Sequence, residues 1–181
     1  MANISGDAPP LEQHLAGLDT YLAPFGMADL VVGDTHSYTL DANWKLIVEN
    51  YHECFHCPSV HPELCVVADP DTGITVLGEG LYVGGSVHLR DGVETMSLDG
   101  TSGGTPIPGI PERYRNSTMY LQVGVNLLVS LHPDYVMVHR LVPLAPDRTF
   151  VECQWLFPQS AVEREGFDPS YAVAFWDITN R

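Results

Sequence analysis

The sequence predicts an α+β domain, and three observations lead there. Trp44 to Phe55 repeats its apolar residues with the period of an amphipathic helix. Three later stretches, Met119–Leu131, Val136–Leu144 and Thr149–Phe157, are β-rich and joined by short turn sequences. Helix and strand signals fall in separate blocks, which favours antiparallel pairing over an alternating parallel fold.

Taken in order, residues 1–12 hold Gly6, Pro9 and Pro10 and predict a loose entry segment. Leu11, Leu15, Leu18 and Leu22 are spaced as one helix, bounded by Pro24. Leu30–Leu40 suits a strand, with Ser37, Tyr38, Thr39 and Leu40 its clearest part. In the long helix Trp44, Ile47, Val48, Tyr51 and Phe55 form a single stripe. Asp41 or Asn43 supplies its N-cap, and Pro58 should stop it within a turn of Phe55.

Gly73–Leu77 and Leu81–Arg90 predict strands, and the glycine- and proline-rich residues 91–116 a long irregular loop of the kind that is functional or disordered. His132-Pro133-Asp134-Tyr135 and Ala145-Pro146-Asp147-Arg148 are the turns of an antiparallel meander. Its last strand alternates, with Thr149, Val151, Cys153, Trp155 and Phe157 on one face. Asp168-Pro169 then opens a helix through Tyr171–Ile178 that is still running where the chain stops.

At 181 residues the chain holds one core of ordinary size. The charge is lopsided: 23 acidic residues face 8 basic ones, a formal net charge of −15. Lys45 is the lone lysine, and no Lys or Arg precedes it. A cationic stripe for nucleic-acid phosphates cannot be assembled, nor a basic patch for an anionic membrane. No signal peptide, transit peptide or membrane span is predicted, and the expected location is the cytoplasm. In that compartment a disulfide framework is not expected for the four cysteines, three of which (Cys54, Cys57, Cys65) crowd together.

Chemistry concentrates at the end of the long helix. His52-Glu53-Cys54-Phe55-His56 matches H-E-x-x-H, the zinc-peptidase spacing, but Ser59 and Pro62 occupy the glycine and third-histidine places of its extended form. Cys54 and Cys57, with Cys65 and a histidine, have a structural-zinc spacing, although C-x2-C-x7-C fits no common ribbon. A third possibility pairs His56 with His61. Five residues apart on one helix they diverge by about 140°. A break at Pro58 lets His61 fold back, and two such histidines with one carboxylate make the facial triad of non-haem Fe(II) oxygenases.

The stretch from Asn43 to Leu64, with Asn43-Trp44-Lys45, Glu49-Asn50, Glu53, His56 and His61 in order, resembles the iron-binding segment of Rieske non-haem iron oxygenase α subunits. It is most similar to the branch of choline and glycine-betaine monooxygenases. His132-Pro133-Asp134-Tyr135, Leu144 to Thr149, Phe175-Trp176-Asp177 and Thr179-Asn180-Arg181 extend the resemblance over essentially the whole chain. It implies a mononuclear Fe(II) held by His56, His61 and Asp177, with Thr179 and Asn180 as alternatives for the place nearest the metal. It also implies a linking role for Glu53 between one subunit's Rieske cluster and its neighbour's iron, and a place near the metal for Asn50.

The implied fold is a helix-grip domain, an antiparallel sheet around a long C-terminal helix that is truncated in this chain. The implied activity is O₂-dependent hydroxylation or demethylation of a small organic substrate. In the intact system a Rieske domain and a reductase supply electrons, in a homotrimer or a hexamer with β subunits. A [2Fe–2S] cluster needs C-x-H and C-x2-H pairs. This chain has Cys54-x-His56 and no second pair, so residues 1–181 read as the catalytic domain of a longer α subunit, with the Rieske domain absent. The alternatives are a non-catalytic helix-grip ligand-binding domain and a zinc site at His52 and His56.

Overall fold

The computed structural model describes residues 6–180. Two short helices, α1 (Leu11–His14) and α2 (Asp19–Leu22), lead into strand β1 (Leu30–Leu40). Helices α3 (Trp44–His52), α4 (Cys57–Val60) and α5 (Pro62–Val67) follow without a strand between them. Strands β2 (Ala68–Leu77), β3 (Tyr82–Leu89), β4 (Ser117–Val123), β5 (Leu127–Leu131), β6 (Val136–Ala145) and β7 (Arg148–Pro158) come next. The described chain closes with α6 (Gln159–Val162) and α7 (Ser170–Thr179).

The strands form one seven-stranded sheet in the order β1-β7-β6-β5-β4-β3-β2, antiparallel throughout. Strands β2 to β7 are a plain meander, and β1 returns to pair with β7. The chain therefore leaves one sheet edge after β1 and re-enters at the other with β2. Helices α3 to α5 make that crossing.

Both faces of the sheet are covered. Ile47, Val48 and Tyr51 of α3 pack on Leu128, Leu141 and Val151. On the same side Phe175 and Trp176 of α7 join Met137, Cys153, Trp155 and Phe157. The opposite residues of the strands, among them Met119, Leu121, Val129, Leu131 and Val136, pack under Leu18, Phe25, Ile107, Ile110 and Tyr114. Period-2 alternation thus sends each strand's two faces into two separate cores. The alternation expected for β7 holds, with Thr149, Val151, Cys153, Trp155 and Phe157 all buried.

Three elements differ from expectation. Leu11–Leu22 is not one helix, because Gly17 turns with φ +80° and its α-carbon lies against the Tyr82 hydroxyl, where a Cβ would sit 2.8 Å from the oxygen. Met119–Leu131 is a hairpin, β4 and β5, turning at Gly124 with φ +64°. The long helix ends at His52 rather than running to Phe55, a residue that is 96% exposed. Pro58 does not end a helix either. It sits in the first turn of α4, where its missing N–H costs nothing.

Candidate functional site

Asn43 opens the site's first helix as expected, its side-chain oxygen accepting from the Lys45 N–H at 3.0 Å. At the other end Glu53 turns extended (φ −115°, ψ 146°). Its carboxylate accepts from the Phe55 N–H at 2.9 Å and takes His56 Nδ1 on its other oxygen. These bonds compete with the helical pattern and divert the chain, as short side-chain-to-backbone bonds do. Desolvation is the largest single influence on Glu53 and opposes its charge, but the bonds from the His56 ring and the Phe55 N–H together outweigh it and hold this carboxyl below the usual range.

From His56 the chain makes the single turn α4 and arrives at His61, whose N–H donates to Cys57 O at 2.9 Å. The two imidazoles meet edge to face, ring centroids 5.1 Å apart. Both side chains are largely buried, at 20% and 13% exposure. Desolvation, with the neighbouring His56 adding to it, pushes His61 below its ordinary value, and the Glu63 carboxylate opposes the shift. The two rings do come together, but the long helix breaks at Glu53, before His56, and the chain then leaves the single turn of α4 at His61 (φ −123°, ψ 61°) rather than at Pro58.

The pair opens on a cavity of about 420 Å³ between the helices and the sheet. Asn50, Glu53, His56 and His61 line it from the helical side. Tyr51, Tyr120, His139 and Trp176 form aromatic walls. Tyr51 donates to or accepts from Ser130 at 2.9 Å, and its ring meets Tyr120 and His139 edge-on at 5.7 and 6.4 Å. Burial raises the Tyr51 and Tyr120 hydroxyls far above their ordinary values and lowers His139 to about 4, so these walls are uncharged at neutral pH. No Lys or Arg lines the cavity among the described residues.

Asp177 is placed elsewhere. Its carboxylate bonds His36 Nδ1 at 2.9 Å and does not line the cavity. Among the described residues no set of three or more His, Cys, Asp or Glu converges as a metal site. Two imidazoles, one backed by Glu53, fit the two histidine places of a facial triad.

Both zinc arrangements lose their geometric basis. His52 and His56 are not a turn apart on one helix, because the helix ends at His52. Cys54 and Cys57 are joined to each other in a disulfide, which removes both sulfurs from any metal and corrects the expectation of free thiols. Sequence reasoning missed Tyr51, His139 and Glu63. Tyr51 is hidden within the stripe as core, His139 within a strand, and Glu63 next to Pro62, in a stretch with no periodic signal.

A family model described as the ring hydroxylating α subunit (catalytic domain) matches residues 27–181. The glycine betaine monooxygenase oxygenase subunit of Chromohalobacter salexigens is 28% identical over 206 residues, covering 98% of this chain and 46% of the relative. Its counterpart from Pseudomonas aeruginosa is 27% identical over 209 residues, covering 98% and 48%. The chain thus spans about half the length of the curated relatives it matches. Among solved structures, a quaternary ammonium Rieske monooxygenase superposes with a TM-score of 0.72 at 17% identity, covering 97% of this chain and 44% of that one. That structure is described in terms of carnitine oxidation and inter-subunit electron transfer. Naphthalene 1,2-dioxygenase from Rhodococcus sp. superposes with a TM-score of 0.67 at 19% identity, covering 97% and 46%.

Proposed function

The chain belongs to the catalytic-domain family of ring-hydroxylating oxygenase α subunits, and on that premise we propose that its cavity oxidises a small organic cation at a mononuclear iron held by His56 and His61. The observation behind this is the corner itself: two facing imidazoles, one braced by Glu53, opening on a cavity with aromatic walls. Bound iron would supply O₂ activation.

The chain's own residues do the rest. Glu53 holds the proton on His56 Nδ1, which leaves Nε2 as the donor atom turned outward. Tyr51, Tyr120 and Trp176 line the cavity, and a ring face turned into it would favour an alkylammonium over a neutral group of the same shape. The lack of lining cations keeps the site from repelling it. Hydroxylation or N-demethylation are the reactions such a pocket serves, with electrons from a Rieske [2Fe–2S] cluster of the intact system and its reductase. Glu53, only 41% exposed at the corner, is the residue through which that hand-off reaches His56. Asp177 becomes the third donor only by leaving His36.

Metal analysis of anaerobically purified chain tests this. Iron lost in His56→Ala and His61→Ala but kept in His52→Ala supports the site, and Asp177→Asn decides whether that carboxylate belongs to it. Zinc retained after His61→Ala and lost after His52→Ala refutes the iron reading. The convergence of only two donors among the described residues favours, as a second reading, a ligand-binding domain without turnover. Product formation with a supplied Rieske donor and reductase separates the two.

A further inference from the structure

His61 has a carboxylate behind it, as His56 does. Glu63 is the second residue of α5, and its side chain is only 18% exposed. It does not line the cavity, whereas His61 and Leu64 on either side of it do. The carboxylate therefore approaches His61 from the side away from the cavity. Its Oε1 lies 3.7 Å from His61 Nδ1 and accepts from the Thr179 hydroxyl at 3.1 Å. Thr179 belongs to the last turn of α7, and the next residue, Asn180, reaches His139 across the cavity wall at 3.5 Å.

From this juxtaposition we propose that Glu63 is the positioning residue of His61: its carboxylate holds the Nδ1 proton, turns Nε2 toward the cavity, and ties that ring to the end of α7 through Thr179. The proposal rests on the metal reading of His56 and His61. A closing movement of under 1 Å turns the 3.7 Å approach into a hydrogen bond of ordinary length. A carboxylate at the far nitrogen of a ligating histidine fixes its tautomer and its orientation. With Glu53 on His56, each imidazole then has its own acid, and the two acids sit on opposite ends of α4. The arrangement makes the last turn of α7 part of the site even though Asp177 points elsewhere. Truncating or loosening that turn would release Glu63 to swing away from His61.

The test is a Co(II) titration of the whole chain, read by visible absorption under anaerobic conditions. Glu63→Leu should weaken Co(II) binding about 10- to 100-fold and change the ligand-field bands. Glu63→Gln, which keeps an acceptor for both neighbours, should recover most of the affinity and the wild-type bands. Thr179→Val should fall between them, and it guards against a Glu63→Leu chain that fails to fold. A Glu63→Leu protein with a lowered melting temperature but unchanged Co(II) affinity and spectrum overturns the proposal and leaves a structural link to α7. Co(II) binding indifferent to both His56→Ala and His61→Ala overturns the metal reading itself, and this proposal with it.

Discussion

Two buried histidines should make this fold acid-labile well above the range where carboxylates titrate. His132 is fully buried with its Nδ1 on the Thr118 hydroxyl and its Nε2 without a partner among the described residues. His139 is 5% exposed, and its Nδ1 also lacks a partner among the described residues. Burial without a counter-charge lowers His132 to about 3 and His139 to about 4 from an ordinary 6.5. In the unfolded chain both take a proton as the pH drops below 6.5, while in the fold neither does until far lower. The unfolded state then binds more protons, so stability is complete above 6.5 and falls as the pH declines toward 4. At pH 5 each site costs about 2 kcal/mol, at 1.36 kcal/mol per pH unit, and the pair about 4 kcal/mol. That is a large part of the 5–15 kcal/mol typical of a domain.

Urea unfolding followed by tryptophan fluorescence between about pH 5 and 7.5, with chelator present so that no metal ties up His61, measures the slope. Below pH 6 these two histidines should contribute about 2.7 kcal/mol per pH unit, two protons' worth, with His52 and His61, also lowered by burial, adding to the slope. His132→Asn and His139→Asn should each remove about one proton's worth, ~1.4 kcal/mol per pH unit, whatever they do to absolute stability, because the slope counts protons and not contacts. A wild-type profile flat from pH 7 to 5, or a slope that neither substitution changes, would refute the reasoning.

Other consequences can be checked more briefly. Asn43→Ala removes the cap of α3 and should cost about 1 kcal/mol in a thermal melt, with Asn43→Asp retaining most of it. At Gly84 a Cβ would lie 1.9 Å from Tyr120 O, so Gly84→Ala should force β3 off β4 and cost about 3 kcal/mol, or leave the chain insoluble. Choline should bind the cavity more tightly than its neutral carbon isostere 3,3-dimethylbutanol. The difference should be about fivefold by calorimetry and shrink in Tyr120→Leu, as a cation–π contribution of about 1 kcal/mol requires. Denatured without reductant the chain should show two thiols, Cys65 and Cys153, and four after reduction.

What the sequence made legible follows a physical division. The start of α3 is visible because a cap residue and an apolar stripe agree, and both concern neighbours in the chain. Its end is not. Phe55 completes the stripe arithmetically, but Glu53 finds better partners in the Phe55 N–H and the His56 ring than in helical geometry. The β4–β5 hairpin hides because Gly124 is a single positive-φ residue inside an apolar run, without the turn dipeptide that would announce it. The turns after β5 and β6 carry proline and aspartate and are read correctly. Glu53, His56 and His61 come together as the spacing suggests, whereas the cavity walls depend on register across all seven strands, which no local pattern encodes.

The placement of Asp177 shows that division at the site itself. Direct cross-strand partners share a face, so Leu128, His139, Cys153 and His36 form one row across β5, β6, β7 and β1 beneath α7. The end of α7 straddles that row. Asn180 reaches His139 at 3.5 Å on one side, and Asp177 reaches His36 at 2.9 Å on the other. Trp176, one residue and about 100° before Asp177, donates its indole N–H to Tyr135 at 2.8 Å and turns its ring to the cavity. Three polar contacts in different directions fix the helix rotation, and at that rotation Asp177 faces the sheet edge. Bringing its carboxylate to His61 would break the His36 bond and unseat Trp176 together. His36 therefore competes with any ligand role for Asp177. If Asp177 is the third donor, metal should bind more tightly in His36→Leu than in the wild type; equal affinity would leave Asp177 as the clamp that holds α7 against β1.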